Sequence, residues 1–132
     1  MVEYVSTADG IQRDQLTGGF FSGWPVKPSP HRHLELLRRS YAVELALHEG
    51  KVVGFATATS DGVLSAYIPL LEVLAKYQSQ GIGSELIRRL LLRLEGLYMI
   101  DLSCDEALEP FYERLGFQVL DRAMGQRRRD AL

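Results

Sequence analysis

Three apolar runs occupy the middle of the chain and leave few choices for its fold. They lie in YAVELALHEGKVVGFATATSDGVLSAYIPLLEV and are separated by HEG at residues 48–50 and by SDG at residues 60–62. Short separators that contain glycine are typical of hairpin turns between antiparallel strands. The pattern therefore predicts an antiparallel meander of three strands.

Shorter elements flank this meander. Residues 2–6 are predicted as a strand, and residues 31–40 as a helix, because the preceding Ser-Pro pair supplies a cap and a first turn. Leucines at helical spacing predict a second helix that ends at residue 97. YMIDLSC is then a strand, ALEPFYERLG a helix and FQVLDRAM a last strand, with a short hairpin around Gly125 as the alternative for that end. This order predicts a mixed α/β (α+β) sheet domain with helices packed on it.

Composition excludes several classes of function. A formal net charge of −2 over 132 residues is not that of a general nucleic-acid binder, and QRRRD is interpreted as a solvated end. A single cysteine, Cys104, excludes an intrachain disulfide framework. The sequence contains neither a signal peptide nor an apolar segment of about 20 residues. We therefore expect a cytoplasmic protein with no nucleic-acid or membrane partner.

A glycine loop, QSQGIG at residues 78–83, joins the third meander strand to the helix after it. Free backbone N–H groups and the positive end of a helix at such a junction bind phosphate or pyrophosphate. No Gly-Lys-Ser/Thr follows, so this is not a Walker A loop, and the third glycine of a dinucleotide fingerprint is missing. Taken alone, the loop is equally well interpreted as a plain strand-to-helix turn.

A second segment, CDEALEPFYERLGF at residues 104–117, places an aromatic pair on a short helix closed by glycine. Together the two segments resemble the GNAT superfamily, the Gcn5-related N-acetyltransferases. The family pattern Gln/Arg-x-x-Gly-x-Gly/Ala is met within residues 78–83, and the later Phe-Tyr-x-x-x-Gly-Phe within residues 111–117. The resemblance is close over residues 64–117, and the second segment also looks like the arylalkylamine branch, which includes serotonin N-acetyltransferase.

The resemblance implies one N-acetyltransferase domain over residues 1–132, with a mostly antiparallel sheet, a splayed central strand and helices on both faces. It implies acetyl-CoA as cosubstrate, no metal, and direct acetyl transfer to a primary amine of a small molecule or peptide. The splayed strand's backbone would pair with the pantetheine, and the loop amides would hold the pyrophosphate. The cofactor-binding residues implied are Leu71, Glu72, Val73, Gln78, Ser79, Gln80, Gly81, Ile82, Gly83, Ser84, Phe111 and Tyr112.

Tyr112 matches the family's tyrosine acid, which protonates the leaving CoA thiolate, since a phenol with a pKa of about 10 is protonated at neutral pH. The alternative is a tyrosine that packs in the core. For the general base, relatives often place Glu or His six residues before the position of Val73, where this chain has Tyr67. Glu72 is another candidate, although strict alternation turns it away from the face of Tyr67 unless a bulge intervenes. A solvated or capping Glu72 and a water chain as base stay open.

The other reactive side chains are given structural roles. Cys104 is interpreted as a small core residue, because the resemblance implies direct transfer without an acetyl-cysteine. His31, His33 and His48 show no ligand spacing with a Cys or Asp cluster, so no metal site is predicted and we expect them at the surface.

The aromatic loop, GGFFSGWPVKPSP at residues 18–30, is the candidate acceptor segment. Phe20, Phe21 and Trp24 are predicted to line a pocket for an aromatic or cationic amine, or alternatively to cover the core. A second chain that completes the last sheet edge would make a homodimer. The alternatives to an enzyme are a catalytically silent acyl-CoA binder or sensor and an interaction domain with a purely structural glycine turn.

Overall fold

A five-stranded mixed sheet is the frame of the protein in the computed structural model, which describes residues 1–120. The first four strands pair antiparallel in chain order, and the fifth pairs parallel with the fourth. The predicted meander and the predicted mixed, mostly antiparallel fold class are thus confirmed. The strands are β1 (Glu3–Val5), β2 (Ala42–His48), β3 (Lys51–Ser60), β4 (Ser65–Val73) and β5 (Met99–Leu102).

Within residues 1–120, three α-helices accompany the sheet. The first begins as predicted, because the Ser29 side chain accepts a hydrogen bond from the Arg32 amide at 3.2 Å. The second ends at Arg93 with Leu94 as its C-cap, earlier than the predicted residue 97, and the left-handed φ of 93° at Gly96 is incompatible with a helix continuing to residue 97. The helices are α1 (Pro30–Arg39), α2 (Ile82–Arg93) and α3 (Glu109–Glu113), with 3₁₀ turns at Arg13–Leu16, Ala75–Tyr77 and Glu106–Leu108.

Each face of the sheet carries its own core, and the prediction of helices on both faces is confirmed. On the α2 face, Leu86 and Leu90 pack over buried alanines of β2 and β3. Gly54 lets the helix approach closely, since a Cβ there would lie 3.2 Å from Leu86 Cδ1. On the α1 face, Leu34 and Phe55 pack with the N-terminal segment. Apolar surface removed from water on both sides holds the layers together.

A bulge in β4 changes which of its side chains share a face. Thr57 of β3 lies opposite Leu70 and Thr59 lies opposite Tyr67, so three steps along β4 match two along β3. Residues 66 and 68 before the bulge, and residues 71 and 73 after it, all pack in the core under α2. Tyr67 and Glu72 therefore both face α1. The bulge that the sequence analysis left open is present, and it shifts the alternation by one residue, so that Glu72 shares the face of Tyr67.

β4 and β5 separate after four paired positions. Residues 65–68 of β4 pair with residues 99–102 of β5, whereas β4 continues to Val73 along β3 alone. The second half of β4 thus leaves one backbone edge unpaired among the described residues, which is the predicted splay. Residues 117–120 form no strand, and the rest of the predicted last strand and the hairpin around Gly125 lie outside the described residues. Within residues 1–120, no helix is long and apolar enough to cross a membrane.

Candidate active site

The glycine loop ends in backbone amides that no helix bond uses. Gly81 is the N-cap of α2, has a φ of 85° and offers no side chain to cap the helix. The first turn closes where the Glu85 amide donates to the Gly81 carbonyl at 3.1 Å. The amides of Ile82, Gly83 and Ser84 precede this bond, so they are available to an anion at the positive end of the helix.

Side chains hold this loop against the end of β4. The side-chain nitrogen Nε2 of Gln78 donates to the Val73 carbonyl at 2.9 Å. The Tyr77 hydroxyl shares a hydrogen bond of 2.8 Å with His48 Nδ1. The residue after Gln78, Ser79, has a left-handed φ of 63°, which is uncommon outside glycine. Gln78 therefore acts on the loop's conformation, and the Val73 carbonyl already has a donor.

The two sequence motifs meet in space. A Cβ at Gly83 would lie 3.5 Å from Phe111 Cζ and 3.8 Å from Val73 Cγ2, so α3 packs on the first turn of α2. The Tyr112 ring centroid lies 4.9 Å from that of Phe111 and 5.8 Å from that of Phe117, and its ring plane is close to perpendicular to both. This packing sets Tyr112 beside the end of β5.

Tyr112 has the protonation state that an acid requires. Its side chain is 8% exposed and lines a cavity of about 610 Å³ together with Ser103 and Cys104. Burial, and next the proximity of Cys104, raises the pKa of Tyr112 to about 12. The phenol therefore stays protonated at neutral pH.

Cys104 is exposed, and its prediction as a core residue was wrong. The residue follows the end of β5, so the periodicity of the strand did not report its environment. Partial burial, and next the carboxylates of Glu109 and Asp105, raises the pKa of the Cys104 thiol although the side chain is exposed. A protonated thiol is a poor nucleophile, which agrees with direct transfer.

Tyr67 bridges the two strands where they begin to separate. Its hydroxyl donates to Ser103 Oγ at 3.0 Å, and its ring borders a shallow hollow of about 350 Å³ lined also by Thr59 and Asp101. Ser103 was not among the predicted site residues. Its position just after β5 was the available signal, because loops at strand ends commonly carry functional side chains.

Glu72 is half-buried and faces the aromatic loop. Both carboxylate oxygens accept from the Phe21 amide at 2.9 Å. Burial raises the pKa of Glu72, against the lowering effects of the Phe21 and Ser22 amides and of Lys27. The capping interpretation of Glu72 is what the geometry shows.

The aromatic loop divides into buried and exposed parts. Phe20 and Phe21 belong to the core on the α1 face, and Phe21 is 2% exposed. Trp24 is 43% exposed, with its ring centroid 5.1 Å from that of Phe21. Trp24 is therefore the member of the predicted acceptor trio with surface available to a ligand.

His33 is 1% exposed, so its prediction as a surface residue was wrong. It lies on the inner side of α1 with its ring centroid 4.4 Å from that of Phe55 and 4.9 Å from that of Phe21. Burial lowers the pKa of His33 to about 4. Its Nε2 has no hydrogen-bond partner within the part of the chain described here. The imidazole is a neutral core residue at pH 7.

A family profile decides the assignment. The profile of the acetyltransferase (GNAT) family matches residues 12–117, which include strands β2 to β5, the glycine loop and the aromatic motif of α3. The chain belongs to the GNAT family. The further likeness of residues 104–117 to the arylalkylamine branch stays a prediction.

Solved GNAT structures share this fold. A crystal structure of a Deinococcus radiodurans protein assigned as an acetyltransferase is 48% identical with a TM-score of 0.91, covering 96% of this chain and 88% of that one. A GNAT-family acetyltransferase from Streptococcus pneumoniae is 27% identical with a TM-score of 0.80, covering 99% of this chain and 100% of that one.

Curated GNAT relatives are longer than this chain. The chloroplastic GCN5-related N-acetyltransferase 1 of Arabidopsis thaliana is 30% identical over 115 residues, which is 84% of this chain and 58% of that protein. A second chloroplastic Arabidopsis relative, GCN5-related N-acetyltransferase 3, is 40% identical over 78 residues, or 33% of its length. The chain thus spans between a third and three-fifths of these two relatives.

The GNAT fold brings some predicted site residues together and separates others. The glycine loop and Phe111 meet at the start of α2, and Tyr112 lies beside the end of β5. Tyr67, Glu72 and Trp24 lie on the α1 face of the sheet. The predicted site residues thus lie on two opposite sides of the point where β4 and β5 separate. Among the described residues, no group of three His, Cys, Asp or Glu side chains is arranged to hold a metal ion.

Proposed function

We propose that the protein is an acetyl-CoA-dependent N-acetyltransferase that transfers the acetyl group directly to a primary amine of a small molecule or peptide. The proposal rests on one observation: two sets of backbone groups without hydrogen-bond partners among the described residues lie close together. The free amides of residues 82–84 lie next to the unpaired second half of β4. One suits a diphosphate, and the other suits an extended amide-containing arm.

The residues present fit acetyl-CoA, which supplies an activated acetyl thioester. The diphosphate would lie against the amides of the glycine loop, and the pantetheine along residues 71–73 of β4. Because Gln78 already binds the Val73 carbonyl and β3 pairs with the other edge of this stretch, the remaining backbone groups that point to the unpaired edge are left for the arm. Phe111, packed on Gly83, would border the same cleft.

The chemistry asks three things of the chain. A backbone N–H of β4 stabilises the oxyanion formed when the neutral amine attacks the carbonyl carbon. The C–N bond forms, the C–S bond breaks, and the thiolate takes the hydroxyl proton of Tyr112, which solvent later restores. The proton lost by the amine leaves on the α1 face, where the candidate acceptors are a water chain and Tyr67 with its partner Ser103.

Thermal unfolding with and without acetyl-CoA tests the cofactor step. A ligand at one hundred times its dissociation constant adds about 2.7 kcal/mol to the free energy of unfolding. We expect an upward shift with acetyl-CoA and with CoA, and none with adenosine. A panel of primary amines is then screened for turnover by measuring the free thiol of the released CoA. No shift at saturating acetyl-CoA would mean that the glycine turn is only structural in this chain.

A further inference from the structure

We propose that Glu72 is a positioning residue that fastens the aromatic loop to β4, and that it is not the general base. The proposal rests on the proposed function, because it concerns how the amine acceptor is received. Its starting point is that Glu72 lies on the α1 face of β4, where its carboxylate accepts a hydrogen bond from the backbone of the aromatic loop.

The first link is a hydrogen bond to a residue in an unusual conformation. Phe21 has a φ of 63°, in the left-handed region that side chains other than those of Gly, Asn and Asp rarely adopt. Its amide donates to both Glu72 oxygens at 2.9 Å. A charge-assisted bond of this kind is stronger than a neutral one and offsets the strain.

The second link is packing around the same point. A Cβ on Gly18 would lie 2.5 Å from Leu74 Cδ1, so the start of the loop lies directly on the end of β4. Phe55, the cross-strand neighbour of Glu72, has its ring centroid 5.2 Å from that of Phe20. The loop, β3 and β4 therefore form one packed unit with Glu72 at its polar contact.

The same geometry argues against a base. To accept a proton from an amine, the carboxylate would have to weaken its bond to Phe21, and the loop carrying Trp24 would lose its polar anchor. A base and an anchor make opposite demands on one carboxylate. The Glu72 backbone belongs to the stretch of β4 proposed to pair with pantetheine, and its side chain holds the aromatic loop. Binding of the pantetheine arm to β4 would therefore also order the aromatic loop.

Two variants separate these roles. Glu72→Gln keeps an oxygen that accepts from Phe21 but cannot take a proton, whereas Glu72→Asp keeps the charge but is one methylene too short to reach. If Glu72 positions the loop, the Asp variant raises the KM for the amine about tenfold, and the Gln variant stays within about threefold of wild type. A base would give the opposite order, with kcat lost in the Gln variant and partly kept in the Asp variant.

Trp24 provides a readout that needs neither substrate. It is the single tryptophan of the chain and contacts Phe21, so its emission reports the aromatic loop. We expect a red shift and stronger acrylamide quenching in the Asp variant and wild-type emission in the Gln variant. Wild-type emission in both variants would overturn the proposal even if no amine is turned over. A cooperative thermal unfolding transition without any ligand shows that each variant is folded.

Discussion

At the scale of single residues, burial decides what the ionisable groups can do. Tyr112 and His33 are both ring side chains in the core, but burial raises the pKa of the first to about 12 and lowers that of the second to about 4. In each case the neutral form is favoured, because a charge loses its hydration in the interior. At neutral pH the Tyr112 hydroxyl is therefore protonated, and the His33 imidazole is uncharged.

Replacing Tyr112 by Phe removes the hydroxyl and keeps the ring that packs against Phe111 and Phe117. We expect kcat to fall by roughly 10² or more, since a positioned general acid contributes about 10² to 10⁴. The acetyl-CoA thermal shift should stay at its wild-type value. An unchanged kcat would show that another group protonates the thiolate.

Acid should destabilise the fold through His33. Its folded-state pKa of about 4 lies below the usual 6.5, so between these values the unfolded chain binds a proton that the folded chain does not. The free energy of unfolding therefore falls as pH drops through this window, by on the order of 3 kcal/mol in total. The measurement is urea unfolding from pH 7 to pH 4 for wild type and His33→Phe. Parallel curves for the two proteins would contradict the assignment.

At the scale of elements, one bulge and one capless helix end define the site. The bulge in β4 brings Tyr67 and Glu72 to the α1 face, and Gly81 leaves the first amides of α2 without a side-chain cap. Neither feature is visible in ideal periodicity. A bulge adds one residue to the strand, and a left-handed N-cap is a property of a single glycine.

Gly81→Ala tests the loop conformation. A φ of 85° is strained for any side chain, so we expect the free energy of unfolding to fall by about 1 kcal/mol and acetyl-CoA to bind more weakly. Gly83→Ala is the matched control for stability, because its new Cβ would meet Phe111 at an ordinary 3.5 Å within a helix. Equal losses of unfolding free energy in both variants would argue against a special role for the Gly81 conformation.

At the scale of the whole molecule, a polar cluster ties the sheet to α2. The side chain of Glu44 on β2 is fully buried; it accepts from Ser6 Oγ at 2.8 Å and from Arg93 at 3.3 Å. The same guanidinium nitrogen donates to the Ser6 carbonyl at 2.7 Å and to the Val43 carbonyl at 2.9 Å. Residues far apart in the chain thus meet at one cation.

Removing that cation should be costly. Arg93→Leu leaves the buried Glu44 carboxylate without its charged partner, and we expect a loss of about 3 kcal/mol in the free energy of unfolding. The double variant Glu44→Leu with Arg93→Leu should recover much of the loss, since apolar groups of similar volume often replace a buried pair at little cost. Urea unfolding measures both. A double variant as unstable as the single one would show that packing, and not the charge, matters at this contact.

Local features of the sequence determined the element order as far as α3, the hairpin positions, the glycine loop and the aromatic motif of α3. These depend on turn residues, caps and periodicity, which act over a few positions and can be read without the fold. The family was predicted from the resemblance of the glycine loop and the aromatic motif to GNAT sequences, and the family profile confirmed it.

The tertiary structure alone decided which side chains face each other. It buried His33 and exposed Cys104, turned Glu72 toward Phe21, and set Ser103 beside Tyr67. The environment of each of these residues comes from elements distant in the chain, and one bulge reverses the facing of every later residue of a strand. Facing and burial are properties of the packed sheet, and no short window of sequence contains them.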